Sequence, residues 1–120
     1  MPRVVHFEIS ADDPERAVSF YSDVFGWKIH KWDGPQDYWL AGTGEGPGID
    51  GAIMRRDAGM PPVINTLDVV SVDDAVAKVE AHGGKVAMPK MTIPGVGYVA
   101  YCMDTEGNMF GVMENDESAA

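Results

Sequence analysis

His6 and Glu8 stand two residues apart in the stretch VVHFEI (residues 4–9), where Val5, Phe7 and Ile9 are apolar. Alternation of this kind reads as a half-buried strand, so the imidazole and the carboxylate share its polar face. Such a pair can move a proton at a carbon next to a carbonyl, or donate to a divalent metal. Glu114 ends a second stretch, MFGVME (109–114), behind the turn-forming cluster DTEGN. It is either a ligand for a metal or the charged end of an edge strand, a common device against aggregation. His30 falls in a strand-like segment away from these positions. His82 closes a helical pattern, where a cation complements the helix dipole. Cys102, between Tyr101 and Met103, reads as a small buried residue rather than a nucleophile. GTGEGPGIDG (42–51) lacks the Lys-Ser/Thr and the strand-to-helix context of a phosphate cradle. Its glycines fit a tight strand connection.

The elements that position these residues follow from periodicity. After the first strand, Asp13 is placed as an N-cap and Pro14 at the first helical position. Ala17, Val18, Phe20, Tyr21, Val24 and Phe25 then recur at helical spacing, and Gly26 stops the helix. WKIHKW (27–32), DYWLA (37–41) and GAIMRR (51–56) read as strands. The second half repeats the plan. VINTLDVV (63–70) is a strand, and SVDDAVAKVEAHGG (71–84) is a helix with a Ser71/Asp74 capping box. Val72, Ala75, Val76 and Val79 form its buried stripe, and Gly83 and Gly84 end it. KVAMP (85–89), YVAYCM (98–103) and MFGVME (109–114) complete the strands, and the tail 115–120 is expected to be loose.

The order is β-α-β-β-β, twice, and the halves echo each other. Shifted by 58, residues 15–18 (ERAV) fall on 73–76 (DDAV) and Gly26 on Gly84; shifted by 60, Tyr38 falls on Tyr98 and Gly51 on Gly111. An old internal duplication leaves this kind of trace.

At 120 residues the chain is read as one domain. Its 45% hydrophobic content is ordinary for a globular protein, and its net charge of −10 repels phosphate backbones and anionic membranes. Nucleic acid and membrane partners are therefore not expected. A single cysteine excludes an internal disulfide and suits a reducing compartment. The start has no signal-length apolar core, and no run reaches the roughly 18 apolar residues of a membrane span. A cytoplasmic protein is expected.

The helix DDPERAVSFYSDVFGWKI (12–29), the segment PKMTIPGVGYVAYCMDTEGNMFGVME (89–114) and the paired modules resemble the vicinal oxygen chelate superfamily. That group includes glyoxalase I, bleomycin resistance proteins, fosfomycin resistance enzymes and extradiol dioxygenases; the loop Gly-Ile-Asp-Gly (48–51) looks like its glyoxalase-like branch. The resemblance implies an α+β fold over residues 1–120, with modules at about 3–58 and 61–115 curling into a cup-shaped half-barrel. It also implies a small-molecule ligand and a homodimer. Metal-dependent members draw one ligand from the first and one from the last strand of each module. Here those slots fall on His6, Met54, Ile64 (Asn65 or Thr66 if the register slides) and Glu114.

Only His6 and Glu114 suit a catalytic divalent metal, which usually takes at least three protein donors. No resident metal is expected, with a weakly held one as the alternative. Trp32, Tyr38, Trp39, Met54, Met91, Tyr98 and Tyr101 are the store from which a ligand pocket could be lined, with Trp39, Met54, Tyr98 and Tyr101 as candidate substrate contacts. Two functions remain open. One is a glyoxalase-like lyase or isomerase on a small oxygenated metabolite, with His6, Glu8 and Glu114 as acid and base. The other is a non-catalytic binding or antibiotic-resistance protein whose acidic groups attract a cationic ligand.

Overall fold

A computed structural model describes residues 2–120, which form two compact units. The first is His6–Ile64; the second joins residues 2–5 to Asn65–Ala120. The first unit carries β1 (Val4–Ala11, counted from His6), α1 (Pro14–Phe25), β2 (Lys28–Lys31), β3 (Tyr38–Gly42) and β4 (Asp50–Arg55). The second carries β5 (Val63–Asp68, counted from Asn65), α2 (Val72–Ala81), β6 (Lys85–Ile93), β7 (Gly97–Met103) and β8 (Met109–Asn115). The duplicated order expected from the sequence is present in full.

Both helices begin and end on the residues whose chemistry calls for it. Asp13 accepts the Arg16 N–H at 3.2 Å, Pro14 fills the first helical turn, and Gly26 closes α1 at φ 74°. The left-handed φ is one that glycine adopts without a Cβ clash. Ser71 Oγ accepts the Asp74 N–H at 3.1 Å at the start of α2. At its end the His82 ring Nδ1 lies 2.9 Å from Lys78 O, to which it donates.

Within the first unit the strands are neighbours in the order β2-β3-β4-β1, with β1 and β4 parallel and the other pairs antiparallel. Within the second unit the order is β5-β8-β7-β6, with β5 and β8 parallel and the rest antiparallel. Each unit thus repeats one plan: after the helix the chain enters the strand farthest from the first and returns through two hairpins, so that the last strand lies beside the first. β6 runs four residues beyond its expected end, with register irregularities between Val86 and Met91 that span Pro89, which has no N–H to give a ladder.

One face of each four-stranded layer is packed on its own helix. In the first unit Ala11, Trp39 and Ile53 form a buried cluster with Ile9, Ala17, Val18, Tyr21 and Ile29. In the second, Val72, Ala100 and Val112 do so with Val69, Ala75, Val76, Tyr98 and Phe110. A buried isoleucine such as Ile53 contributes roughly 1.5–3 kcal/mol by leaving water. Because successive side chains alternate, these clusters fix which residues point the other way. The tail is not loose: Ala119 is buried, its carbonyl accepts the Gly95 N–H, and the Asp116 N–H reaches Val96 O, both at 2.9 Å. Among the described residues no helix is long and apolar enough to cross a membrane.

Candidate functional site

Trp39 and Ile53 face α1, so their neighbours Tyr38 and Met54 face away from it, as do His6 and Glu8 on β1. On that helix-free face three polar side chains are chained together. His6 Nε2 lies 2.8 Å from the Tyr38 hydroxyl, and that hydroxyl donates to Glu8 Oε2 at 2.7 Å. A hydroxyl has one proton, and here it goes to the carboxylate. The Tyr38 oxygen is then the acceptor for His6, which carries its proton on Nε2 and leaves Nδ1 as the lone-pair nitrogen.

The electrostatics keep that imidazole neutral. Burial pushes His6 down from its ordinary 6.5, against the charges of Glu8 and Asp50, which pull the other way. Asp50 is the Cα partner of His6 across the parallel β1–β4 pair. Its carboxylate also accepts the Thr43 N–H at 2.9 Å, which ties the Gly-rich loop to the start of β4. Glu8 is 5% exposed, an uncommon position for a carboxylate and one that calls for hydrogen-bond partners, of which Tyr38 is one.

The other candidates divide by face. Met54 is the Cα partner of both Ser10 and Tyr38, on the helix-free face of the first unit. Trp39 is part of the buried cluster on α1, and Tyr98 packs in the cluster on α2. Both therefore serve their helices. Tyr101 lies on the helix-free face of the second unit, where a Cβ added at Gly111 would come 3.3 Å from its ring and 2.8 Å from Thr66 Oγ1.

Glu114 has the same parity as Phe110 and Val112, which pack on α2. Its Oε1 accepts the Val72 N–H at 3.0 Å, a donor of the first helical turn with no partner within the helix. The carboxylate thus caps α2 from the neighbouring strand and complements the positive end of its dipole. Lys90 stands close by, paired with Asp73 at 3.1 Å and 4.6 Å from the centroid of the Tyr98 ring.

The four metal slots can be tested on these positions. Met54 presents a thioether, Ile64 a buried alkyl chain, Glu114 a carboxylate bonded to its helix, and His6 an Nε2 engaged with Tyr38. Among the described residues no three His, Cys, Asp or Glu side chains converge. This donor set does not fit the catalytic metal of metal-dependent relatives.

Asp50 is the member of this group absent from the sequence-based candidates, and Tyr38 stands among them only as a possible pocket-lining side chain, not beside His6 and Glu8. Parity could have found Tyr38, since it precedes a tryptophan buried on the helix. A cavity of about 610 Å³ lies elsewhere in the first unit, lined by Ser10, Arg16, Phe20, Arg56 and Val63 among others. There Arg56 is held by Ser10 and Asp12.

The sequence matches the Glyoxalase/Bleomycin resistance protein/Dioxygenase superfamily over residues 3–112, and the chain belongs to that superfamily. Its α+β fold of two βαβββ modules is the fold of that group. It is 33% identical over 114 residues to a glyoxylase-like domain-containing protein of Didymella fabae, covering 88% of each chain. It is 31% identical over 113 residues to the putative glyoxylase CFP32 of Mycobacterium tuberculosis, covering 89% of this chain and 43% of that one. The chain therefore spans less than half the length of that relative. Among solved structures it resembles methylmalonyl-CoA epimerase from M. tuberculosis, with a TM-score of 0.72, 14% identity, and coverage of 94% and 87%.

Proposed function

We propose that the protein is a glyoxalase-like isomerase or lyase that moves a proton at a carbon next to a carbonyl, with His6 as the base. The hydrogen-bonded chain His6–Tyr38–Glu8 is the observation that carries this reading. A neutral imidazole with its proton on Nε2 offers Nδ1 to a substrate C–H. As Nδ1 takes the proton, positive charge develops on the ring and strengthens the Nε2–H bond to Tyr38. Tyr38 in turn leans on the Glu8 carboxylate, so the charge is relayed without either group losing its place. An imidazole supported in this way is the logic of a base held by an orienting partner. Its lowered pKa keeps it in the acceptor form near pH 7.

The surrounding charge supports a substrate class. Glu8 and Asp50 flank the imidazole, whereas Lys31 and Arg55 are both engaged by Asp37. That field favours an uncharged or cationic carbonyl compound over a phosphate- or carboxylate-bearing one. Met54 would line the apolar side of the ligand beside Tyr38. The chemistry assigned to His6, Tyr38 and Glu8 needs no resident metal, in keeping with the donor types at the four slots.

The test is α-proton exchange in D₂O, followed by NMR, on uncharged α-hydroxyketones such as hydroxyacetone and dihydroxyacetone. Exchange above the buffer rate that falls by about 10²-fold or more in His6→Asn supports the assignment. Tight binding of cationic aromatic compounds with no exchange of any ketone would instead make this a sequestering protein.

A further inference from the structure

Trp32 follows β2, and its N–H donates to Tyr38 O at 2.8 Å, closing the short loop 33–37. Asp37 ties the far end of that loop, with Lys31 at 3.4 Å and Arg55 at 3.2 Å. The indole meets the Tyr38 ring edge-on, with centroids 6.0 Å apart and planes at 72°. The same Tyr38 ring lies nearly parallel to His6, at 6.5 Å and 18°. One aromatic side chain therefore packs edge-on against the middle member of the chain.

Gly34 accounts for how the indole holds that place. A Cβ there would stand 2.1 Å from Trp32 Cη2 and Cζ3 and 2.4 Å from Cζ2. The indole fills the space in which any side chain at 34 would lie. Gly34 is not among the glycines of positive φ, so its backbone is one that other residues adopt. The ring, rather than the backbone, excludes a side chain.

We propose that Trp32 is the positioning residue of the His6–Tyr38–Glu8 chain: seated on Gly34, it fixes the Tyr38 ring so that one hydroxyl spans imidazole and carboxylate. The inference rests on the proposed function only where it calls that chain the working part; the geometry stands apart from any substrate. Edge-on aromatic packing is directional, so replacing the indole frees the Tyr38 ring to turn about its side-chain bonds and carries the hydroxyl off the 2.8 and 2.7 Å contacts. Gly34→Ala makes the same change from the other side. It leaves Trp32 in the sequence but pushes the indole out of its seat, and because the far end of a side chain yields, the fold is kept.

The experiment reads His6 directly, by ¹⁵N NMR of the imidazole. Wild type should show the Nε2–H tautomer with slowed exchange of that proton. Trp32→Ala and Gly34→Ala should each speed the exchange by about tenfold or more, as local opening of the contact does, while Trp32→Phe retains much of the protection. Thermal midpoints measured alongside separate this from general loosening, and Gly34→Ala decides the matter if Trp32→Ala fails to fold. If both variants keep wild-type exchange while Tyr38→Phe loses it, the role of Trp32 is overturned and the chain survives. If Tyr38→Phe also keeps it, the chain itself is not formed, and the positioning role and the proposed base fall together.

Discussion

Glu114 Oε1 accepts the backbone N–H of Val72 at 3.0 Å, and Val72 is the first residue of α2. A carboxylate that could be read as a ligand of the site is bonded to a helix terminus. It satisfies a donor that would otherwise be orphaned and adds a negative charge at the positive end of the dipole.

Substituting Glu114 should therefore cost stability rather than chemistry. Glu114→Ala is expected to lower the unfolding free energy by about 1 kcal/mol, the usual cost of a lost cap. Glu114→Gln, which keeps an acceptor oxygen, should lose less. Urea unfolding of both variants checks this, beside α-proton exchange that stays at the wild-type rate. A large loss of exchange with unchanged stability would return Glu114 to the chemistry.

Why the sequence pointed elsewhere is a matter of one residue of register. The caps Asp13 and Ser71 set the helices 58 apart, which puts Glu8 over Thr66. Glu8 is paired with Ala52 and Thr66 with Gly111, so the last strands of the two units correspond at 59 and not at the 60 read from Gly51 and Gly111. At 59, Ile53 falls on Val112, and both are core residues on their helices. A slip of one reverses the face of every side chain. Glu114 then matches Arg55 rather than Met54, and the slot of Met54 falls on Met113. The helices, their caps and the element order were legible because each rests on local chemistry: Asp13 before Pro14, Ser71 before Asp74, Gly26 after Phe25. The joining of His6 to Tyr38 was not, since it depends on how β1, β4 and β3 align across 32 residues of chain.

Tyr38→Phe removes one hydroxyl from the middle of the chain and leaves the ring. A buried Glu8 then loses a donor, which should cost about 1–3 kcal/mol of stability. The proton-exchange rate should fall by about 10²-fold, because His6 loses the partner that holds its proton on Nε2. Chemical denaturation and exchange measured on the same preparation check the two together. Stability that falls while exchange holds would make Tyr38 a structural tie only.

Gly97 lies at the start of β7 with φ 155°, and a Cβ there would come 2.0 Å from the backbone oxygen of Glu114. Neither the strand partner nor the dihedral can give way cheaply, so Gly97→Ala should separate β7 from β8 at that end. A loss of more than about 3 kcal/mol is expected, by the sum of overpacking and backbone strain. Circular dichroism melts of Gly97→Ala beside Gly95→Ala give the comparison. At Gly95 φ is 74° with no atom within 4 Å of the added Cβ, so only the backbone term applies there and the smaller loss should be seen.

The depressed pKa of His6 makes a statement about stability against pH. Burial holds the folded-state value below the 6.5 of a free imidazole, with Glu8 and Asp50 opposing it in part. Above 6.5 both states are neutral at His6, and its contribution is fully present. As the pH falls through and below 6.5 the unfolded chain takes up the proton first, so stability declines until the folded-state value is passed. The slope from this one group is at most about 1.4 kcal/mol per pH unit. The carboxylates of Asp37, Asp104 and Asp116 are held low by their hydrogen bonds, so they add a loss of the same sign only at more acidic pH. Urea unfolding of wild type and His6→Asn between about pH 7.5 and about pH 5 isolates the histidine, because the variant retains those three carboxylates and lacks the imidazole. The wild-type curve should drop relative to the variant on the acid side of 6.5. Parallel curves would mean that the His6 proton affinity is the same folded and unfolded, and the neutral base would then lose its support.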